Sequence, residues 1–93
     1  MLALPPVLTH EIAAGFERDL KKTVEDLPGS LVVDASALRV FDSSALAVLL
    51  AARREAFAAG KEFSVRDLPA RLQQLARLYG VGTLITADGQ SPP

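Results

Sequence analysis

The residues with the most chemical promise are Asp42-Ser43-Ser44, which lie between a partly apolar segment and an apolar run that begins at Ala45. Aspartate and serine side chains accept hydrogen bonds from the unpaired N–H groups of a helical first turn, so this Asp-Ser-Ser triplet predicts a helix start. A serine there is also exposed to partners, and the helix dipole would stabilise a phosphate on it. Such a phosphate adds about −1.5 to −2 charges, enough to disrupt an interface packed over it. Two interpretations of the triplet, helix capping and regulatory phosphorylation, are therefore open, and they are compatible with each other.

Other kinds of site are limited by the residues that the sequence lacks. The chain has no cysteine, which excludes disulfides, thiol catalysis and cysteine-based zinc sites. It has one histidine, His10, so a histidine-rich metal site is excluded and a hydrolase using Ser43 would have only this imidazole as its base. Nothing in the sequence places His10 beside a serine, and we expect it to be an ordinary surface residue.

Cofactor and nucleic-acid binding are also disfavoured. The glycines are scattered and form no phosphate-binding loop, so no cofactor is predicted. Ten basic residues against eleven acidic ones give a net charge of −1, which does not favour a nucleic-acid partner. The small basic cluster Arg53, Arg54 and Lys61 is offset by Glu55 and Glu62, so it is interpreted as a solvated face.

Length and hydropathy predict one globular domain outside the membrane. The chain has 93 residues, of which 49% are hydrophobic, enough for a single core. Its longest apolar run, 45–52, is far shorter than the about twenty residues of a membrane helix. The first residues lack the basic and apolar regions of a signal peptide, and we expect a cytoplasmic protein without direct membrane insertion.

The first half of the chain predicts a helix, a strand and a second helix. Thr9 is the expected N-cap of a helix over 10–26, whose apolar stripe is Ile12, Phe16, Leu20 and Val24. The apolar run 31–35 predicts a strand buried on both faces, followed by a loop over 38–41. The second helix begins at the Asp-Ser-Ser triplet and ends at Gly60. Residues 2–8 contain Pro5-Pro6 and can form at most an edge strand.

The second half predicts a strand, a third helix and a last strand. Residues 62–66 alternate polar and apolar side chains, which is typical of a half-exposed strand. Asp67 is the expected N-cap of a third helix that ends at Gly80, and 83–86 is the expected last strand. This alternation predicts an α/β fold, with a small mixed sheet of about four strands and helices mainly on one face. The domain should cover 1–86, with 87–93 as a disordered tail.

The central segment resembles the signature of STAS domains, which include the anti-sigma-factor antagonists and the MlaB subunits of bacterial phospholipid ABC transporters. The resemblance rests on residues 31–38 and on 41–47, which contain the triplet, with weaker matches at 7–9, 60–61 and 75–80. It covers about residues 4–86. The family fold is a small sheet of four or five strands with helices largely on one face.

The resemblance implies a non-catalytic binding module. In the antagonists, the serine or threonine after the signature aspartate is phosphorylated by a partner kinase, and this position is Ser43 here. In MlaB proteins the same position matters for docking onto the transporter's ATPase. Ser43 is therefore the principal site residue, with Asp42 beside it and Ser44 as the secondary candidate.

The segment Leu75-Ala76-Arg77-Leu78-Tyr79-Gly80 favours the MlaB type over the antagonist type. The resemblance then implies an ATPase partner within a permease complex that maintains outer-membrane lipid asymmetry, which would hold this chain peripherally at the inner membrane.

Two departures from the family pattern have structural consequences. Ala45 stands where the antagonists typically carry glycine, and its methyl group would crowd the approach of a kinase. The N-terminal segment is short for the two strands with which the family often begins. We expect one strand to be missing, which would expose an edge strand through which a second copy could pair.

Overall fold

The computed structural model describes residues 1–85. Five short strands and three α-helices alternate along the chain, and a 3-10 helix follows at Gly82–Ile85. The strands are β1 (Leu2–Ala3), β2 (Val7–Leu8), β3 (Leu31–Asp34), β4 (Val40–Phe41) and β5 (Phe63–Arg66). The helices are α1 (His10–Asp26), α2 (Ser44–Ala58) and α3 (Ala70–Leu78). The expected α/β fold is confirmed, whereas the predicted tail 87–93 lies outside the described residues.

The strands form two small parallel sheets. One has three strands in the order β1-β3-β5, and the other pairs β2 with β4. Every strand pairing within residues 1–85 is parallel. We expected a mixed sheet, and the structure has none in this part of the chain. Helical connections explain this arrangement, because parallel neighbours need a long crossover between them.

The N-terminal segment holds two strands, and the prediction that one strand is missing is wrong. Pro5 and Pro6 cannot donate ladder hydrogen bonds, and they divide the segment instead of preventing pairing. Leu2 pairs with Val33, whereas Val7 pairs with Val40. The carbonyl of Pro6 accepts hydrogen bonds from the N–H groups of Arg39 (2.8 Å) and Val40 (3.0 Å). The partner strand β4 was expected to be a loop, because a two-residue strand leaves no periodicity to detect.

The core lies between the three-stranded sheet and the helices and is built almost entirely from aliphatic side chains. α2 contributes most to it, and seven of its residues are buried: Ala45, Leu46, Val48, Leu49, Ala51, Ala52 and Ala56. In β3 the residues Leu31 and Val33 are buried, but Val32 and Asp34 are only half-buried. The prediction that this strand is buried on both faces is therefore wrong, since its second face is incompletely covered.

Helix boundaries follow the sequence signals closely, but the capping side chains differ. α1 occupies the expected 10–26, yet the Thr9 side chain makes no capping hydrogen bond. Gly60 and Gly80 follow their helices with φ of 72° and 75°, a conformation that glycine adopts without strain. Asp67 is not the N-cap of α3, because it has a φ of 56° and the helix begins after Pro69.

The predicted last strand is instead a 3-10 helix. After Gly80 the chain folds back on α3, where the N–H of Val81 donates to the carbonyl of Ala76 at 2.8 Å. The 3-10 turn places the side chain of Ile85 in the core, where it is 1% exposed. Residue 86, the last of the predicted strand, lies outside the described residues.

Candidate functional site

The Asp42 carboxylate connects the first turns of two helices. Its Oδ1 accepts a hydrogen bond from the backbone N–H of Ser44 at 2.8 Å, and its Oδ2 accepts one from the backbone N–H of His10 at 3.1 Å. Both N–H groups would otherwise lack an intrahelical partner. One side chain therefore caps α2 and also holds the start of α1 against it.

The site carries a negative charge at neutral pH. The hydrogen bond from the Ser44 N–H is the largest cause that lowers the pKa of Asp42 below the model-compound value of 3.8, and the His10 N–H is the next. Desolvation opposes this shift, and the Ser44 hydroxyl adds to it as a further hydrogen-bond donor. Hydrogen bonds to the ionised form favour that form, so Asp42 stays ionised well into the acid range.

Ser43 remains available for a partner because Asp42 does the capping. Ser43 occupies the N-cap position of α2 with φ −62° and ψ −15°, it is exposed, and its hydroxyl makes no capping hydrogen bond. Ser44 differs, since it is half-buried and bonded to Asp42. The predicted residues thus lie together, with a free hydroxyl at Ser43.

His10 belongs to the same site, which the sequence did not indicate. It is exposed as expected, but its backbone lies beside Asp42, 32 positions later in the chain. The pairing of β2 with β4 and the packing of α1 on α2 bring these segments together, because β2 leads into α1 and β4 leads into the triplet. No short-range motif could have revealed this contact.

An exposed stripe runs along α2 from the site. Ser43, Ala47, Leu50, Arg54 and Phe57 recur at spacings of four and three residues, which places them on one helix face. Leu50 is half-buried and the others are exposed. Phe57 is 52% exposed, and the Arg53 guanidinium lies 4.4 Å above the centre of its ring. We call these five residues the α2 stripe, which has Ser43 at its first position.

Exposed apolar side chains also occur in the segments that meet at Asp42. Val7 and Val40 are paired residues of β2 and β4, and they are 37% and 54% exposed. Ile12, in the first turn of α1, is 42% exposed, so it does not belong to the buried stripe that was predicted for it. We call Val7, Val40 and Ile12 the apolar rim, since Val40 precedes Asp42 by two residues and Ile12 follows His10 by two. Apolar surface next to polar groups is typical of protein-binding sites.

Comparison with known families supports the resemblance that the sequence analysis noted. The family described as "Mlab, STAS domain" matches residues 1–86. The chain belongs to this STAS family. A comparison with curated proteins gives no match.

STAS domains are typically non-catalytic regulatory domains. Within residues 1–85 no group of three or more histidine, cysteine, aspartate or glutamate residues could hold a metal ion. No helix in that part of the chain combines the length and apolar character needed to cross a membrane.

The Ala45 methyl group does not crowd the STAS site. Ala45 is 0% exposed and lies in the core, while the neighbouring Ser43 is exposed. The expected obstruction of a kinase is therefore wrong, because the first turn of α2 directs the two side chains to different sides.

The expected solvated basic cluster also differs in the structure. The Lys61 ammonium group donates to the carbonyl of Leu27 and, at 3.2 Å, to that of Gly29. Arg53 lies over Phe57 instead. Lys61 therefore joins the end of α1 to the start of β5 and is held by these carbonyls instead of being simply solvated.

Proposed function

We propose that this chain is the non-catalytic, cytoplasmic STAS subunit of an Mla-type phospholipid ABC transporter, where it binds and regulates the ATPase. The MlaB description of the matched family supports this function. The proposed docking mode rests on the Ser43 hydroxyl, which is exposed, makes no capping hydrogen bond and lies at the first position of the α2 stripe. In this function the chain contacts the ATPase within the permease complex and helps to maintain outer-membrane lipid asymmetry.

The docking surface is the α2 stripe together with the apolar rim. Phe57 and Val40 supply exposed apolar area to this surface. Interface cores favour aromatic and arginine side chains, and Arg54 and Phe57 lie on the same helix face. Because α2 is anchored by its many buried residues, it offers a rigid face that holds the ATPase in an assembly-competent form.

Co-expression with the ATPase of the Mla-type transporter from the same organism tests this function. We expect the two proteins to co-purify through size-exclusion chromatography, and we expect the steady-state rate of ATP hydrolysis to change when this chain is added. An ATPase that neither binds the chain nor changes its rate would contradict the proposal.

The same serine also supports a second candidate, an anti-sigma-factor antagonist controlled by phosphorylation. Its support is that Ser43 has a free hydroxyl at a helix N-terminus, where a phosphate is stabilised by the helix dipole. Incubation with the cognate serine kinase and ATP, followed by mass spectrometry, should then give one phosphate on Ser43 and none in Ser43→Ala. Absence of phosphate on the wild-type chain would eliminate this candidate.

A further inference from the structure

β5 is an edge strand whose outer side offers hydrogen-bonding groups to another strand. It is the last strand in the order β1-β3-β5. The carbonyl of Glu62 accepts a hydrogen bond from Leu31 at 2.8 Å, and that of Arg66 accepts one from Ala35 at 2.9 Å. These bonds show which backbone groups of β5 are directed towards β3.

The remaining backbone groups of β5 are directed away from the sheet. The N–H and C=O of one residue point to the same side of a strand, and this side alternates along the chain. Glu62, Ser64 and Arg66 therefore use their backbone on β3, and Phe63 and Val65 direct theirs to the open edge. Neither Phe63 nor Val65 belongs to a further strand pairing within residues 1–85.

We propose that a second copy of this chain pairs with the open edge of β5, antiparallel to it and centred on Ser64. In this register Phe63 of each copy lies opposite Val65 of the other. Those residues carry the outward backbone groups, so each pair exchanges both of its N–H···O bonds. Ser64 lies opposite Ser64 of the second copy, in a pair without hydrogen bonds. This register therefore uses the N–H and C=O groups of β5 that are not bonded to β3.

The side chains of β5 are complementary to themselves in this register. Glu62 lies opposite Arg66 of the second copy, and the two-fold axis repeats this contact. Both residues are exposed, on the face that alternates with the buried Val65. Opposite charges directly across an antiparallel pair are stabilising, whereas like charges are destabilising.

The charge pattern continues into the neighbouring strand. Arg66 is the register partner of Asp34 on β3, where hydrogen bonds from Ser36 are the main cause that lowers the pKa of Asp34 and the Arg66 charge adds to them. In the dimer Arg66 would therefore lie between Asp34 of its own chain and Glu62 of the second copy. Signs alternate across the joined sheets, which favours a copy of this strand over an arbitrary strand.

The opposite edge of the sheet is less suited to pairing. β1 has two residues, and Pro5-Pro6 follow it closely. β5 has four residues and no proline. Edge strands that are long and free of proline are those that pair with other chains. The earlier expectation of an exposed edge at the N-terminus therefore changes to the edge at β5.

A single-cysteine variant tests the register, because the natural chain has no cysteine. Residues opposite each other in a pair without hydrogen bonds have Cα atoms about 4.5 Å apart, within the range that a disulfide spans. Under mild oxidation we expect Ser64→Cys to form a disulfide dimer at least about tenfold faster than Ser36→Cys, because only the first thiol has its symmetry mate within that range. Ser36 is the more exposed serine, so thiol access favours the control. Equal rates would overturn the proposal.

A pair of charge variants tests the complementarity. Glu62→Arg alone and Arg66→Glu alone each place like charges opposite each other, and we expect the dimer dissociation constant to rise about tenfold over the two repeated contacts. In an equimolar mixture every cross-copy pair becomes attractive again, so sedimentation equilibrium should show the dimer restored. Circular dichroism of each variant checks its fold. If a charge variant does not fold, the disulfide test with Ser64→Cys decides the proposal. A wild-type chain that stays monomeric at millimolar concentration would overturn the proposal.

Discussion

At the scale of single residues, Asp42 makes the helix-capping hydrogen bonds and Ser43 does not, although the sequence predicts capping by both. Asp42 satisfies N–H groups of two helices, at 2.8 Å and 3.1 Å. Ser43 makes no capping bond and stays exposed. Asp42 therefore makes the capping contacts, and Ser43 is left for the regulatory role, which stays a prediction.

Asp42→Ala should destabilise the fold more than Asp42→Asn. Alanine removes both acceptors, whereas asparagine keeps one side-chain oxygen that can accept from the Ser44 N–H. The expected order of the free energy of unfolding is wild type, then Asp42→Asn, then Asp42→Ala, measured by urea denaturation at neutral pH. Equal stability of all three proteins would show that the bridge between α1 and α2 contributes nothing.

Stability should also depend on acid through Asp42. Its pKa in the folded chain lies below the unfolded value of about 3.8, mainly because of the Ser44 and His10 N–H groups. Its contribution is therefore fully present above that value and is lost as the pH falls through the folded pKa. Asp34 adds to the same trend, because hydrogen bonds from Ser36 lower its pKa.

Thermal unfolding at a series of pH values from neutral to strongly acid measures this dependence. Asp42→Ala should show a shallower loss of stability below about pH 4 than wild type, since one of the linked carboxyl groups is gone. An identical acid dependence of the two proteins would contradict the hydrogen-bonded role of Asp42.

At the scale of the elements, α2 has one face in the core and another in solvent. Leu49→Ala removes a side chain that is 0% exposed and should cost about 2–5 kcal/mol of stability. Phe57→Ala removes a side chain that is 52% exposed, together with its contact to Arg53, and should cost about 1 kcal/mol or less. Chemical denaturation measures both. If Phe57→Ala destabilised as much as Leu49→Ala, the α2 stripe would be part of the core instead of a free surface.

Lys61 fixes the turn between α1 and β3 to the start of β5. Lys61→Met keeps much of the apolar stem but loses the hydrogen bonds to the carbonyls of Leu27 and Gly29, and should cost about 1–3 kcal/mol. Lys22→Met is the control, because the Lys22–Asp26 ion pair is exposed at 3.3 Å and contributes about 0–1 kcal/mol. Equal losses in the two variants would contradict the structural role of Lys61.

The long elements could be predicted from the sequence, and the short ones could not. α1 has a regular apolar spacing over seventeen residues, and its bounds were predicted correctly. β1, β2 and β4 have two residues each, and such strands are created by pairing with distant segments instead of local propensity. The predicted strand at 83–86 failed for a related reason, since burial of Ile85 against the helices outweighs the β propensity of that segment.

The candidate site was likewise predictable where local signals define it and not where distant segments meet. The triplet was recognisable because its residue types are local signals for a helix start. The contact between His10 and Asp42, and the rim formed by Val7 and Val40, depend on the pairing of β2 with β4. Ile12 was predicted to be buried because its spacing fits the stripe of α1, but the helix directs Ala13, Leu20 and Val24 into the core and leaves Ile12 exposed.

At the scale of the whole molecule, the chain is a STAS domain whose two proposed contacts use different elements. The α2 stripe begins at Ser43, whereas the open edge of β5 belongs to a different element. Docking onto an ATPase and pairing with a second copy can therefore be changed independently. Glu62→Arg should weaken self-association and leave ATPase binding unchanged, as calorimetric titration of the ATPase with the monomeric variant would measure.

The most direct test of the proposed function is the affinity for the ATPase of Ser43→Asp, with Ser30→Asp as its matched control. Ser30 is an exposed serine just before the amino end of β3, whereas α2 begins after the carboxyl end of that strand. A charge placed without a partner in an interface should raise the dissociation constant at least about tenfold for Ser43→Asp, equivalent to about 1.4 kcal/mol. Ser30→Asp should bind like wild type. Wild-type affinity of Ser43→Asp would contradict the account, since it would place the ATPase contact away from the start of α2.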